Sequence, residues 1–142
     1  MNIKAKYKGE DIKKLLNQRA PILMVDVIYS IENDICEAGL TISANNMFVV
    51  DGKLTEPGLI EHIAQSASAF VSYRVNGVNA SPVLGYIGEV KKFTLLGLLP
   101  KVDDKVVTTI KIQSEVMNIT MFISETRVNG VLVAICQMKL SV

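Results

Sequence analysis

The sequence contains no tryptophan, and only 6% of its residues are aromatic, although 49% are hydrophobic. The core must therefore be built mainly from aliphatic side chains. An excess of charge of one sign is also missing, because 15 basic residues are balanced by 14 acidic ones, for a net charge of +1. Proteins that bind nucleic acid usually carry a concentrated basic excess. We therefore predict no nucleic-acid partner.

Cysteine is scarce, and long apolar runs are absent. Cys36 and Cys136 lie far apart within apolar stretches, without the spacing of a disulfide framework or a metal site. We predict two reduced, buried thiols and no metal or cofactor. No stretch reaches the roughly 18 apolar residues that a membrane span requires, and the N-terminal residues lack a secretory pattern. The expected location is the cytoplasm, with no membrane partner.

Hydrophobic periodicity predicts an α+β fold in one domain covering residues 1–142. Residues 10–17 fit a short amphipathic helix ended by Pro21. "DG" at 51–52 marks a turn, and "NG" at 129–130 is a strong hairpin signal. A bulge is expected at Gly85 or Gly88. The predicted strands cover residues 22–32, 35–43, 82–97, 105–116, 119–129 and 131–142.

The segment "LTEPGLIEHIAQSASAFVSYR" (54–74) predicts one long helix. It contains the only histidine of the chain, His62, beside Glu61, and no further charge before Arg74. The apolar stripe expected to be buried comprises Ile60, Ile63, Ala64, Ala67, Phe70 and Val71. A helix that is uncharged most of the way round is usually covered on several sides. The pattern favours an antiparallel sheet wrapped around a central helix.

Three segments resemble the 3-hydroxyacyl-acyl-carrier-protein dehydratases. "LLNQRAPILMVDVI" (15–28) is similar to their Pro-His-Arg-x-Pro turn and following Val-Asp strand, with Gln18 in place of the histidine. "EPGLIEHIAQSASA" (56–69) is similar to their Pro-Gly and Glu-x-x-Ala-Gln helix, with a spacing two residues shorter. "VKKFTLLGLLP" (90–100) resembles the basic-aromatic strand that follows. The shorter spacing is closer to the divergent dehydratases of aryl-polyene and flexirubin pigment clusters.

The resemblance implies a hotdog fold that works as a dimer, with active sites between subunits. It implies an acyl thioester substrate on acyl carrier protein or coenzyme A, dehydrated in fatty-acid or polyene synthesis. Glu61 is then the principal catalytic group and Gln65 orients it. The substrate-binding positions implied by the motif, or suggested by neighbouring aromatic residues, are Pro57, Gly58, Leu59, Phe48 and Phe93. Backbone N–H groups near Gly58 and Leu59 would stabilise the enolate-like oxygen.

The catalytic base of most members of this family, a histidine in the loop before the helix, is missing from residues 44–58. Three groups are candidates to replace it. Asp51 lies roughly where the histidine motif would fall, although a turn residue is its ordinary role. His62 points about 100° away from Glu61 around the helix, so its use as a base requires a site shared across a dimer. Otherwise His62 is an interface or partly buried residue, and Glu61 shuttles the proton alone.

Two other functions remain open. A hotdog thioesterase would use the helix carboxylate to activate water or attack the thioester carbonyl. A catalytically silent subunit would bind acyl chains or pair with an active paralogue, which the absence of both family histidines favours. The expected assembly is a homodimer or an oligomer of dimers, with a heteromer containing a paralogue as the alternative.

Overall fold

The computed structural model describes residues 6–77, Pro82 and 86–141, and it places one long helix against a seven-stranded antiparallel sheet. Helix α1 covers Glu56–Asn76. The sheet consists of β1 (Tyr7–Lys8), β2 (Val27–Glu32), β3 (Ile35–Thr41), β6 (Tyr86–Leu95), β7 (Lys105–Val116), β8 (Ile119–Val128) and β9 (Val131–Ser141). Their order across the sheet is β1-β2-β3-β7-β8-β9-β6. A separate hairpin of β4 (Val49–Val50) and β5 (Lys53–Leu54) precedes the helix.

Alternating side chains explain the long strands. Along β7 and β8 every second residue is buried over most of the strand, so one face of the sheet packs on the core. The predicted hairpin at residues 129–130 is confirmed, since Asn129 and Gly130 have φ of 51° and 80° and join β8 to β9. The pairing of β6 with β9 shifts register between Ile87 and Glu89, which agrees with the bulge predicted at Gly88. Gly85, the alternative position, lies outside the described residues.

The core lies between the inner face of the sheet and α1, which contacts β3, β7 and β9. Ile63, Ala67, Phe70 and Val71 are buried as predicted, whereas Ile60 and Ala64 are only half-buried. Cys36 and Cys136 are buried free thiols. Desolvation raises the pKa of Cys36 to about 12 and that of Cys136 to about 11.

Two predicted elements differ from the structure. The N-terminal helix is a 3-10 helix at Gly9–Lys14, ending well before Pro21, although Ile12, Leu15 and Leu16 are buried as expected. The strand predicted for residues 22–32 begins only at Val27. The reason is that the Ile22 carbonyl and both backbone groups of Met24 bond to side chains of α1 instead of a neighbouring strand.

Candidate active site

The N-terminus of α1 is built by its cap and by a glycine. Thr55 is the N-cap, with extended backbone and its hydroxyl 3.4 Å from the Gly58 nitrogen. The same hydroxyl donates to the carbonyl of Phe48 at 2.9 Å. A Cβ atom on Gly58 would lie 2.5 Å from the Cβ of Phe48 and 2.8 Å from a methyl carbon of Leu54. Only glycine lets the helix approach the β4–β5 hairpin this closely.

Glu61 lies on the least covered stripe of α1. Pro57 is exposed and Ile60, Glu61, Ala64 and Ser68 are half-buried, while the neighbouring stripes are buried. Gln65 is one turn further along the helix, and its Nε2 donates to the Glu61 carboxylate at 2.8 Å. This contact agrees with the orienting role that the resemblance implies for Gln65. The catalytic role of Glu61 itself stays a prediction.

The Gln65 amide also holds the segment before β2. Its Nε2 donates to the Ile22 carbonyl at 2.8 Å, and its Oε1 accepts the Met24 N–H at 2.6 Å. Because both ends of the amide are bonded, its orientation is fixed. The carboxylate of Glu61 is therefore held by a side chain that cannot rotate freely.

His62 lies inside the protein rather than at its surface. The residue is fully buried, with Nδ1 2.7 Å from the Met24 carbonyl and Nε2 2.9 Å from the Thr108 hydroxyl. A carbonyl only accepts hydrogen bonds, so Nδ1 carries the proton and Nε2 accepts from Thr108. Desolvation lowers the pKa of His62 to about 4, opposed by the bond to Met24. The imidazole is neutral at physiological pH.

The two predicted oxyanion donors already have partners within the helix. Leu59 N–H donates to the Thr55 carbonyl at 3.0 Å, as in any helical turn. Gly58 N–H has only the 3.4 Å contact with the Thr55 hydroxyl, which is at the long end for a hydrogen bond. Both residues are buried. Of the two, Gly58 has the N–H that a bound oxygen can compete for more readily.

The remaining predicted positions are spread over the N-terminal end of the helix and the sheet. Asp51 is exposed and has φ of 52° in the turn of the β4–β5 hairpin, which is the conformation of a turn residue. Phe48 packs beside Gly58 at the start of the helix. Phe93 lies on β6 opposite Cys136 and is half-buried against the core. Phe70, by contrast, packs on Phe122 within the core.

Two of the basic side chains considered as partners of a carrier protein form ion pairs within the chain. Arg74 lies at the other end of α1, where it bonds Glu115 at 2.6 Å and the Asn33 carbonyl at 3.1 Å. Lys91 pairs with Glu89 on β6. The described residues contain no group of three His, Cys, Asp or Glu side chains that could hold a metal ion. No helix in that part of the chain is long and apolar enough to cross a membrane.

Several residues at the site gave no recognisable signal in the sequence. Thr108 and Thr126 are a cross-strand pair on the buried faces of β7 and β8, with their hydroxyls 2.8 Å apart. Asn46 contacts the sulfur of Met24 at 3.2 Å. Threonine within alternating strands has good β-propensity wherever it lies, so its type alone does not mark a buried polar contact. The only sequence feature that could have pointed to these threonines is His62, which needs a polar partner if it is buried.

The long helix packed against an antiparallel sheet is the arrangement of a hotdog fold. The model of the ApeP-like family, described as ApeP dehydratase, matches residues 10–142. The chain belongs to this family, and it is a dehydratase-like lyase. The resemblance noted from the sequence is therefore confirmed at the level of the family and the hotdog fold.

Solved structures show the same fold at low sequence identity. A chain of the dehydratase heterocomplex ApeI:P from Xenorhabdus doucetiae has a TM-score of 0.83 at 13% identity, covering 92% of this chain and 89% of that one. The E. coli PaaI protein has a TM-score of 0.63 at 14% identity, and the match covers 81% of each chain. A hypothetical thioesterase with coenzyme A from Streptococcus pneumoniae has a TM-score of 0.65 at 11% identity, and the match covers 80% of this chain and 85% of that one. A search of curated proteins finds no match.

Proposed function

We propose that this dehydratase removes water from a 3-hydroxyacyl thioester, carried by acyl carrier protein or coenzyme A, in fatty-acid or polyene synthesis. The observation that carries the proposal is the position of Glu61, on the least covered stripe of α1 and held by the fixed amide of Gln65. The chain acts as one cytoplasmic domain covering residues 1–142.

The reaction needs one group at C2 and one at C3 of the substrate. A base takes the C2 proton, and the electron pair of that C–H bond forms the C2–C3 double bond. The C3–O bond breaks, and the hydroxyl leaves as water after gaining a proton. Glu61 donates this proton to the C3 hydroxyl. The Gly58 N–H stabilises the negative charge that develops on the thioester oxygen.

The group at C2 comes from a second chain. His62 has both ring nitrogens bonded inside its own domain, and Asp51 has the backbone conformation of a turn residue. The half-buried stripe of α1 and the edge strand β6 are the two places where a second chain can bind to complete the site. That chain is a second copy or a paralogue. The heterocomplex formed by the similar ApeI:P dehydratase supports the paralogue.

The test is hydration of a crotonyl thioester on carrier protein, the reverse of the proposed reaction, followed by loss of the enoyl absorbance. We expect Glu61→Gln to lose activity at least about a hundredfold, because a positioned acid or base contributes this much or more. Glu56→Gln, an exposed carboxylate in the first turn of the same helix, is the matched control and keeps activity. Full activity in Glu61→Gln would refute the assignment.

A second candidate function is a subunit that supports an active paralogue without turning over substrate itself. The heterocomplex of the similar dehydratase favours this candidate. It predicts no hydration by the chain alone and co-purification with a homologue that has the loop histidine. In the mixed complex, Glu61→Gln then separates the two cases, since it abolishes activity only when Glu61 completes the site. Release of free thiol from acyl thioesters would instead identify a thioesterase.

A further inference from the structure

His62, a buried polar residue of α1, is connected to Glu61 by hydrogen bonds through Met24 and Gln65. We propose that His62 is a positioning residue for Glu61 and acts through the backbone of Met24. The proposal rests on the proposed catalytic role of Glu61, and it assigns to the only histidine of the chain a task other than proton transfer.

Three consecutive hydrogen bonds make the connection. His62 Nδ1–H donates to the Met24 carbonyl at 2.7 Å. The N–H of Met24 donates to Gln65 Oε1 at 2.6 Å. Gln65 Nε2 then donates to the Glu61 carboxylate at 2.8 Å. The first two bonds are made by the carbonyl and the N–H of the same residue, Met24. A shift of Met24 therefore moves the Gln65 amide that holds Glu61.

The ring of His62 is also held on its Nε2 side by threonine hydroxyls of β7 and β8. The Thr108 hydroxyl donates to Nε2, and its own oxygen accepts the proton of the Thr126 hydroxyl. Each of these side chains is fully buried, and each donor has an acceptor. A buried polar network in which every member is satisfied favours one arrangement over its alternatives. β7 and β8 therefore determine where the segment before β2 lies against α1.

Met24 is the point where these contacts meet. Its side chain is fully buried, and its sulfur receives a contact from the Asn46 amide at 3.2 Å. Asn46 in turn accepts the N–H of Phe48 at 2.8 Å, and Phe48 packs on Gly58 at the helix N-terminus. The same residue thus joins the groups around Glu61 to the start of the helix. An ordinary apolar core residue at position 62 would fill space but could not make this connection.

The first test observes the network directly and does not depend on activity. Because His62 is the only histidine, ¹⁵N-histidine labelling gives one pair of ring nitrogen signals. We expect a protonated Nδ1 and an unprotonated Nε2, unchanged from pH 8 to pH 5.5. A ring protonated on Nε2, or one that titrates at the ordinary histidine pKa, would overturn the proposal.

The second test separates positioning from stability. His62→Leu removes both ring contacts, His62→Asn keeps a donor near the position of Nδ1, and Ser66→Ala removes a neighbouring buried bond to the His62 carbonyl. Exchange of the Gln65 side-chain amide protons is measured by NMR. We expect faster exchange in His62→Leu, partial recovery in His62→Asn, and wild-type exchange in Ser66→Ala. Wild-type protection in His62→Leu would refute the connection.

Turnover supplies the functional readout. In the crotonyl hydration assay, kcat of His62→Leu should fall about ten- to hundredfold with KM changed less than twofold, because a displaced catalytic group loses rate rather than binding. His62→Asn should recover part of kcat. Equal losses in both variants would refute positioning through Met24. If His62→Leu does not fold, Thr108→Val, which frees the ring on one side, replaces it. A wild-type chain that is inactive both alone and together with its paralogue refutes the proposed function, while the NMR results still decide the network.

Discussion

Among individual side chains, His62 has the clearest consequence for stability. Burial lowers its pKa from 6.5 to about 4, so the folded protein binds this proton less readily than the unfolded chain. The stabilising contribution is present above pH 6.5 and is lost as the pH falls towards 4. Between pH 7.5 and pH 5 we expect His62 to reduce the free energy of unfolding by about 2 kcal/mol.

Urea unfolding at a series of pH values measures this effect. His62→Gln is the control, because it lacks a titrating ring. It should be less stable than wild type at pH 7.5, but its stability should change less between pH 7.5 and pH 5. A parallel pH dependence in the two proteins would show that His62 is already protonated in the native state near pH 6.

Gly58 tests the close approach of the helix to its preceding hairpin. In Gly58→Ala the new methyl group would lie 2.5 Å from the Cβ of Phe48, so the helix or the hairpin must move. We expect a loss of about 1–3 kcal/mol in the free energy of unfolding, as for other overpacked sites. Gly97→Ala is the matched control, since its methyl meets Val133 at an ordinary 3.4 Å. Equal stability of the two variants would contradict this packing.

For the elements, the boundary between hairpin and helix depends on one hydroxyl. Thr55 caps α1 and also donates to the Phe48 carbonyl. Thr55→Ala loses both contacts and should cost about 1 kcal/mol, the usual value of an N-cap. Thr55→Ser keeps the hydroxyl and should retain most of the stability. The comparison is made by thermal unfolding, and an equal loss in both variants would assign the effect to the methyl group of threonine.

The sequence predicted the elements whose signals are local. The alternation in residues 105–116, the Asn-Gly turn and the uncharged helix each depend on neighbours within a few positions, and the structure has all three. The strand expected at residues 22–26 was wrong because an apolar run does not reveal its hydrogen-bond partner. There the partners are the side chains of Gln65 and His62, about 40 positions away.

The candidate site divides in the same way. The pairing of Glu61 with Gln65 follows from one helical turn, and their order was visible in the sequence. The bonds from His62 to Met24 and Thr108 join three separate elements, so no local pattern predicts them. Spacing around the helix did show that Glu61 and His62 point apart. It did not show that His62 faces the sheet, because that depends on which side of α1 the sheet covers.

At the scale of the whole chain, two features of the described residues are available to a second chain. The stripe of α1 that includes Glu61, Ala64 and Ser68 is half-buried, and β6 lies at an edge of the sheet. An edge strand presents unpaired N–H and C=O groups that another strand can bond. Together these features support the proposed assembly, in which a second chain lies against α1 and supplies the missing base.

Ala64→Lys tests this assembly, because it places a charge on the open stripe one turn from Glu61. We expect the wild-type chain to sediment at about twice its 15.5 kDa mass and Ala64→Lys to sediment as a monomer that remains folded. An interface that buries an unpaired charge is strongly destabilised. Ser114→Lys, at an exposed position of β7, is the control and should keep the wild-type mass. A wild-type monomer would exclude the homodimer and leave the paralogue as the second chain. An unchanged mass in Ala64→Lys would remove α1 from the interface.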